Sequence, residues 1–148
     1  MAKRGARNNS KSGNRGSAGL NKKRGEEFLI KNANRHEVKL TGSGLQYEII
    51  RKGNGKAPDI NSKVKIDQRA LSIEGTVLDD TYKSGRQDIL SVEEAIPGYA
   101  EALMLMNEGA RYKFVVPHHL AWGKKGSANG KIGPYATLIF DVALHKVF

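Results

Sequence analysis

In this chain of 148 residues, His118 and His119 are the first pair that invites a chemical reading, because imidazoles serve as metal ligands, acids and bases. Their spacing argues against it. Adjacent residues on a strand or turn point apart, whereas chelation needs ligands that converge, as two histidines one helical turn apart do. A metal site is therefore not expected. No serine stands in a nucleophile elbow, the chain has no cysteine, and no glycine pattern follows a strand and opens a helix to cradle a phosphate. Hydrolase and nucleotide readings are poor. No catalytic set is left, and nothing in this elimination selects the apolar residues Ile96, Tyr99, Trp122 and Phe140 or the carboxylate Asp79. Taken alone, the first four read as core and Asp79 as a turn residue.

The element that must position them is the stretch from Glu93 to Pro117, which reads as helix, turn and strand. Pro97 has a preset φ and no N–H, so it suits a first helical turn, and Ala95, Tyr99, Leu103 and Met106 recur at helical spacing. Gly109 falls where a left-handed C-terminal cap needs no Cβ. Tyr112, Phe114 and Val116 then alternate as a half-buried strand does, so one helix must pack on a sheet. Leu45, Tyr47 and Ile49 alternate as well. Further strands are expected at 64–72, 76–79, 89–92 and 136–146, with a turn-rich link at 51–62 and a polar excursion at 82–88. The glycine-rich 123–134 has no periodicity and is expected to be a long, function-bearing loop.

The order of these motifs resembles FKBP-type peptidyl-prolyl isomerases, the macrolide-binding immunophilins. The likeness is carried by Ala95-Ile96-Pro97-Gly98-Tyr99, Met106, Gly109, Val116-Pro117, Leu120-Ala121-Trp122-Gly123 and the run from Ala136 to Val142. Upstream, Ser43-Gly44-Leu45-Gln46-Tyr47 is similar to the first strand of bacterial members, and Ile73 to Asp79 resembles a further family segment. It covers 42–148 and points to the Mip-like branch without its dimerisation region. The resemblance implies catalysis without acid, base, metal or cofactor. Rotation about an X–Pro bond must cross a barrier of roughly 18 to 20 kcal/mol set by amide resonance, and a dry aromatic cup favours the twisted, less polar amide over the planar one.

Carried over by motif, Tyr99 stands where the family's tryptophan floor is usual. Ala95 and Ile96 match a Val-Ile pair whose second N–H binds the ligand carbonyl, and Trp122 replaces the tyrosine of an Ala-Tyr-Gly motif. Ile132 and Phe140 match apolar walls, and Asp79 the pocket carboxylate. There are departures: Leu78 replaces a usual phenylalanine, Gln68 a usual pocket tyrosine, Asp88 lies near a position commonly apolar or aromatic, and Ile-Pro-Pro has become Ile132-Gly133-Pro134. Each of the first three makes the cup wetter or less aromatic, so reduced activity is expected.

Net charge is +10, and Lys3, Arg4, Arg7, Lys11, Arg15, Lys22, Lys23 and Arg24 carry most of it without an acid among them. Met1 to Gly25 is too polar to offset its ordering entropy and is expected to be a disordered basic tail, either a solubilising appendage or a nonspecific contact for nucleic acid. Residues 26–38, with Phe28, Leu29 and Ala33 on one side, are expected to form a short helix. The fold class expected is α+β: a curved antiparallel half-barrel of about five strands wrapped on one short helix, with an N-terminal helix and basic tail. The expected divisions are 1–25 tail, 26–41 helix and linker, and 42–148 isomerase domain. No membrane span or secretory signal is recognised, which gives a cytoplasmic chain as the expectation, and the lack of room for the dimerisation region of the Mip-like branch gives a monomer. Its partners would be proline-containing protein segments and, weakly, a macrolide. The alternative is a non-catalytic FKBP-fold module that docks a protein or nucleic acid.

Overall fold

In the computed structural model, which describes residues 17–148, the strands expected from alternation join one antiparallel sheet. The elements are helix α1 (Ala18–Ala33), strands β1 (Lys39–Leu40), β2 (Gln46–Arg51), β3 (Lys63–Ser72) and β4 (Val77–Asp80), the single-turn helix α2 (Thr81–Ser84), β5 (Asp88–Ser91), helix α3 (Pro97–Met104), β6 (Arg111–Val116) and β7 (Leu138–Val147). The sheet runs β1-β2-β6-β7-β3-β4, with β5 also paired to β3. Seven strands thus replace the handful expected. The strand not expected is the two-residue edge β1, while β4 and β5, both expected, divide one edge of β3 between them.

Register makes the inner face of the sheet a continuous apolar floor. Tyr47 stands opposite Phe114, and Phe114 opposite Phe140. Against this face α3 buries Tyr99, Ala102 and Leu103, followed by Met106. Close approach of α3 to β6 needs Gly98, since a Cβ there would stand 2.5 Å from Val116 Cγ1. Gly109 has the expected positive φ of 93° but does not cap α3, which ends at Met104 with Leu105 as its cap. It turns the chain into β6 instead, where its N–H donates to the Leu144 carbonyl at 2.8 Å.

The N-terminal helix corrects the expected boundary. It begins at Ala18 and ends at Ala33, rather than running over 26–38, so residues 18–25 are helical and not tail. The physical reason is a cap and a docking surface. Ser17 accepts a hydrogen bond from the Leu20 N–H, as an N-cap serine does. Gly25 is buried against Thr137, where a Cβ would collide with the threonine hydroxyl. Farther along, Asn32 Nδ2 donates to Gln46 Oε1 at 2.8 Å and Gln46 Nε2 donates to the Leu29 carbonyl at 2.9 Å. Because Gln46 follows the core residue Leu45 on an alternating strand, α1 covers the outer face of the sheet. The sheet is therefore sandwiched between α1 and α3. Of the eight basic residues assigned to a tail, Lys22, Lys23 and Arg24 belong to α1, and the other five lie outside the described residues. Among the described residues, no helix is long and apolar enough to cross a membrane.

Candidate active site

The start of α3, the middle of β3 and β7, and the 117–135 loop converge on one cleft with two lobes. The larger encloses about 470 Å³ and is lined by Ala95, Ile96, Tyr99, Trp122, Phe140 and Gln68, with Leu90 and Glu94 at its side. The smaller, of about 200 Å³, shares Gln68, Trp122 and Phe140 and adds Leu78, Asp79 and Ile132. All nine residues singled out in the sequence are thus brought to a common cleft. Asp88 lines neither lobe. Leu90, two residues on and on the same side of β5, lines the larger lobe.

The floor is an aromatic cluster. Tyr99 meets Phe140 edge-on at 4.9 Å between ring centres and Phe114 edge-on at 5.2 Å. Such T-shaped pairs align ring edges with ring faces and add to the burial of area. Trp122, the chain's single tryptophan, is 39% exposed and forms a wall shared by the lobes.

A polar seam crosses this floor. Tyr99 Oη donates to Gln68 Oε1 at 2.7 Å, and Gln68 Nε2 donates to Asp79 Oδ2 at 2.8 Å. Burial, followed by the negative charge of Asp88, raises the Tyr99 phenol well above its ordinary range, so it remains a neutral donor. Asp88 itself is raised by burial and then by Asp79 and Asp67, which marks this side of the cleft as negative. At the opposite wall, Ile96 is the N-cap of α3, and its N–H donates to no group among the described residues. That leaves a backbone donor at the larger lobe.

The two histidines have separate structural settings. His119 Nε2 lies 2.8 Å from the Ser43 carbonyl, while the His118 ring meets Tyr135 edge-on at 4.9 Å. Their own rings are 6.1 Å apart and steeply inclined. Sequence reasoning missed Leu90 and Glu94 as lining residues. Alternation along β5 held the signal for Leu90, whereas the 3-10 turn at Val92–Glu94 that presents Glu94 has no short pattern of its own.

Residues 54–145 match the model of the FKBP-type peptidyl-prolyl cis-trans isomerase family. The chain belongs to that family. Residues 2–49 also match the domain amino-terminal to FKBP-type peptidyl-prolyl isomerases, which agrees with α1 being continuous with the fold. The chain is 42% identical over 130 residues to a probable FKBP-type isomerase, FkpA, of Neisseria meningitidis, covering 88% of this chain and 47% of that protein. It is 39% identical over 127 residues to the peptidyl-prolyl cis-trans isomerase Mip of Coxiella burnetii, covering 86% and 55%. The chain spans about half the length of these curated relatives. Among solved structures, FkpA from Escherichia coli superposes with a TM-score of 0.84 at 32% identity, over 94% of this chain and 63% of that one. A Pseudomonas syringae peptidyl-prolyl isomerase shares the fold, with a TM-score of 0.80 at 24% identity over 89% and 96%. In this FKBP-type chain the cleft lies where α3 meets the sheet's inner face.

Proposed function

We propose that this FKBP-type chain is a peptidyl-prolyl cis-trans isomerase acting on X–Pro bonds of flexible protein segments, and that the larger lobe receives the proline ring. The observation that carries the reading is the boxed Tyr99 floor beneath an open apolar lobe with a free backbone donor at Ile96. A proline ring on Tyr99, walled by Phe140, Ile96 and Trp122, takes the imide out of water. Water favours the polar planar amide, so its exclusion lowers the barrier to the twisted one. The Ile96 N–H is suited to hold the carbonyl of the segment and fix one side of the rotating bond. Asp79, anchored by Gln68, sets the polarity on the other side.

The same geometry supports a rate below that of family members with a fully aromatic cup. Gln68 and Asp79 bring a hydrogen-bonded polar seam into the cleft, and Leu78 offers less apolar face than a phenylalanine would. A macrolide that occupies the same lobe should bind weakly for the same reason.

A protease-coupled assay on a short proline peptide tests the reading, with Tyr99→Ala as the control for contaminating isomerase. Trp122 gives a second signal, because a peptide entering the cleft changes its fluorescence. Isomerisation that disappears in folded Tyr99→Ala supports the assignment. A rate unchanged by that substitution would assign the activity to another protein.

A further inference from the structure

We propose that Thr81 and Asp67 are positioning residues of the isomerase site and act through Gln68. The inference rests on the reading of the cleft as an isomerase site. Its starting point is a gap in the sheet. On the edge of β3 away from β7, Ile66 pairs with Asp88 of β5 and Arg69 pairs with Asp80 of β4, while the chain leaves the sheet between 80 and 88. Asp67 and Gln68 stand opposite that gap without a strand partner on this edge. A sheet N–H left unpaired there is costly.

Thr81 fills the gap with a side chain. Only 4% exposed, it accepts from the Gln68 N–H at 2.8 Å and donates to Asp67 Oδ1 at 2.6 Å. The other Asp67 oxygen takes Gln87 Nε2 at 3.2 Å and His145 Nε2 at 2.9 Å. Asp67 thereby ties both ends of the 81–87 excursion to β7. Its hydrogen bonds outweigh burial and keep the carboxyl below its usual range, so it remains an ionised acceptor.

Gln68 is where this outer network meets the cleft. Its backbone N–H is held by Thr81, and its side chain spans from Tyr99 to Asp79. A shift of the Gln68 backbone by a few tenths of an ångström would stretch both side-chain bonds, and the polar seam of the floor would lose its register. Thr81 does not itself line the cleft, and the lining residue it holds is Gln68, so its influence on the reaction passes through Gln68.

The test combines kinetics with a probe that needs no activity. Thr81→Val keeps shape and removes both hydrogen bonds, whereas Thr81→Ser keeps them. Thr81→Val should lower kcat/KM on a proline peptide about five- to tenfold, as loss of one positioned hydrogen bond does, and Thr81→Ser should restore most of it. In a Gln68→Leu background, Thr81→Val should cause no further loss. In ¹⁵N-labelled protein, the Gln68 side-chain amide should give shifted, slowly exchanging protons in the parent and Thr81→Ser, and solvent-like ones in Thr81→Val. An unchanged rate in Thr81→Val overturns the proposal. So does an equal loss with and without Gln68, or an undisturbed Gln68 amide in Thr81→Val. If the parent chain isomerises no proline peptide, the isomerase reading fails, and the amide signals still decide whether Thr81 holds Gln68.

Discussion

Tyr99 and Gln68, from α3 and β3, are joined by a 2.7 Å hydrogen bond across the floor of the cleft. The bond joins two positions at which the resemblance implies a departure from the family pattern. A tyrosine in place of the usual tryptophan buries a hydroxyl that requires an acceptor. Glutamine in place of the usual tyrosine supplies one, and its free amide end then reaches Asp79. The two positions form one polar unit.

Removing the acceptor should therefore cost more than the area of one side chain. Gln68→Leu leaves the Tyr99 hydroxyl buried and unpaired, a loss of about 1 to 3 kcal/mol. Adding Tyr99→Phe to that variant should recover most of the stability, since neither polar group then remains. Urea unfolding of the single and double variants measures this, and simple additivity of the two losses would contradict the pairing.

The same logic constrains any attempt to restore the aromatic cup. Gln68→Tyr alone should give no gain in activity, because it replaces the acceptor that Tyr99 needs. Gln68→Tyr with Tyr99→Trp and Leu78→Phe should raise kcat/KM and macrolide affinity together, since a drier floor favours the twisted amide and the drug alike. Titration by Trp fluorescence beside the peptide assay reads both quantities. A full gain from Gln68→Tyr alone would break the argument.

Much of this was legible in the sequence because periodic signals were strong and local. Alternation from Tyr112 to Val116 and the helical spacing of Tyr99, Leu103 and Met106 placed one helix against the sheet, and the family resemblance, not the periodicity, singled out Tyr99 as a floor. The Tyr99–Gln68 bond was not legible, because its partners are 31 residues apart and no short pattern links them. Helix α1 was placed too late for a related reason. Asn21, Gly25 and Asn32 face the sheet, yet polar residues and glycine do not register as an apolar stripe. Their burial depends on Pro134, Thr137 and Gln46, which are remote in the chain.

Trp122 and Phe140, which sequence alone treats alike, should separate in experiment. Phe140 is 5% exposed and lies in the core cluster, so Phe140→Ala should cost about 3 to 5 kcal/mol of stability and lose activity with the fold. Trp122 is largely a wall of the cleft. Trp122→Ala should lower kcat/KM while melting changes little. Parallel loss of melting temperature in both variants would make Trp122 a core residue.

Truncation should respect the helix. Removing residues 1–16 leaves α1 whole from its cap Ser17 onward and should leave melting and peptide isomerisation unchanged. Removing 1–25 takes half of α1 and its cap Ser17, breaks the Asn21 bond to the Pro134 carbonyl and the packing of Gly25 on Thr137, and should lower stability. Gly25→Val should have a smaller effect in the same direction, because its side chain would collide with Thr137. Thermal melts of the three variants are sufficient, and indifference to the longer deletion would show that α1 is not integral.

Alkaline pH tests the network on the outer face. Tyr82 lies under the Arg111 guanidinium, 5.1 Å from its ring centre, and its hydroxyl donates to Asp141 at 3.3 Å. Arg111 in turn holds Asp141 through two hydrogen bonds at 2.8 and 2.9 Å. Burial, and then the Asp141 charge, push the Tyr82 phenol up to about 12, although Arg111 pulls it the other way. An unfolded tyrosine ionises near ~10. Above that pH the unfolded chain releases a proton that the folded chain keeps, so this part of the stability is complete below ~10 and is lost as pH rises through the folded value. Tyr99 and Tyr112, both raised by burial, act in the same sense. Tyrosinate absorbance should therefore lag behind that of free tyrosine and rise together with the loss of far-UV circular dichroism, and Tyr82→Phe should soften the alkaline fall in stability. Complete ionisation of the tyrosines in a chain that keeps its circular dichroism would show that neither the floor nor the Arg111 network shields them.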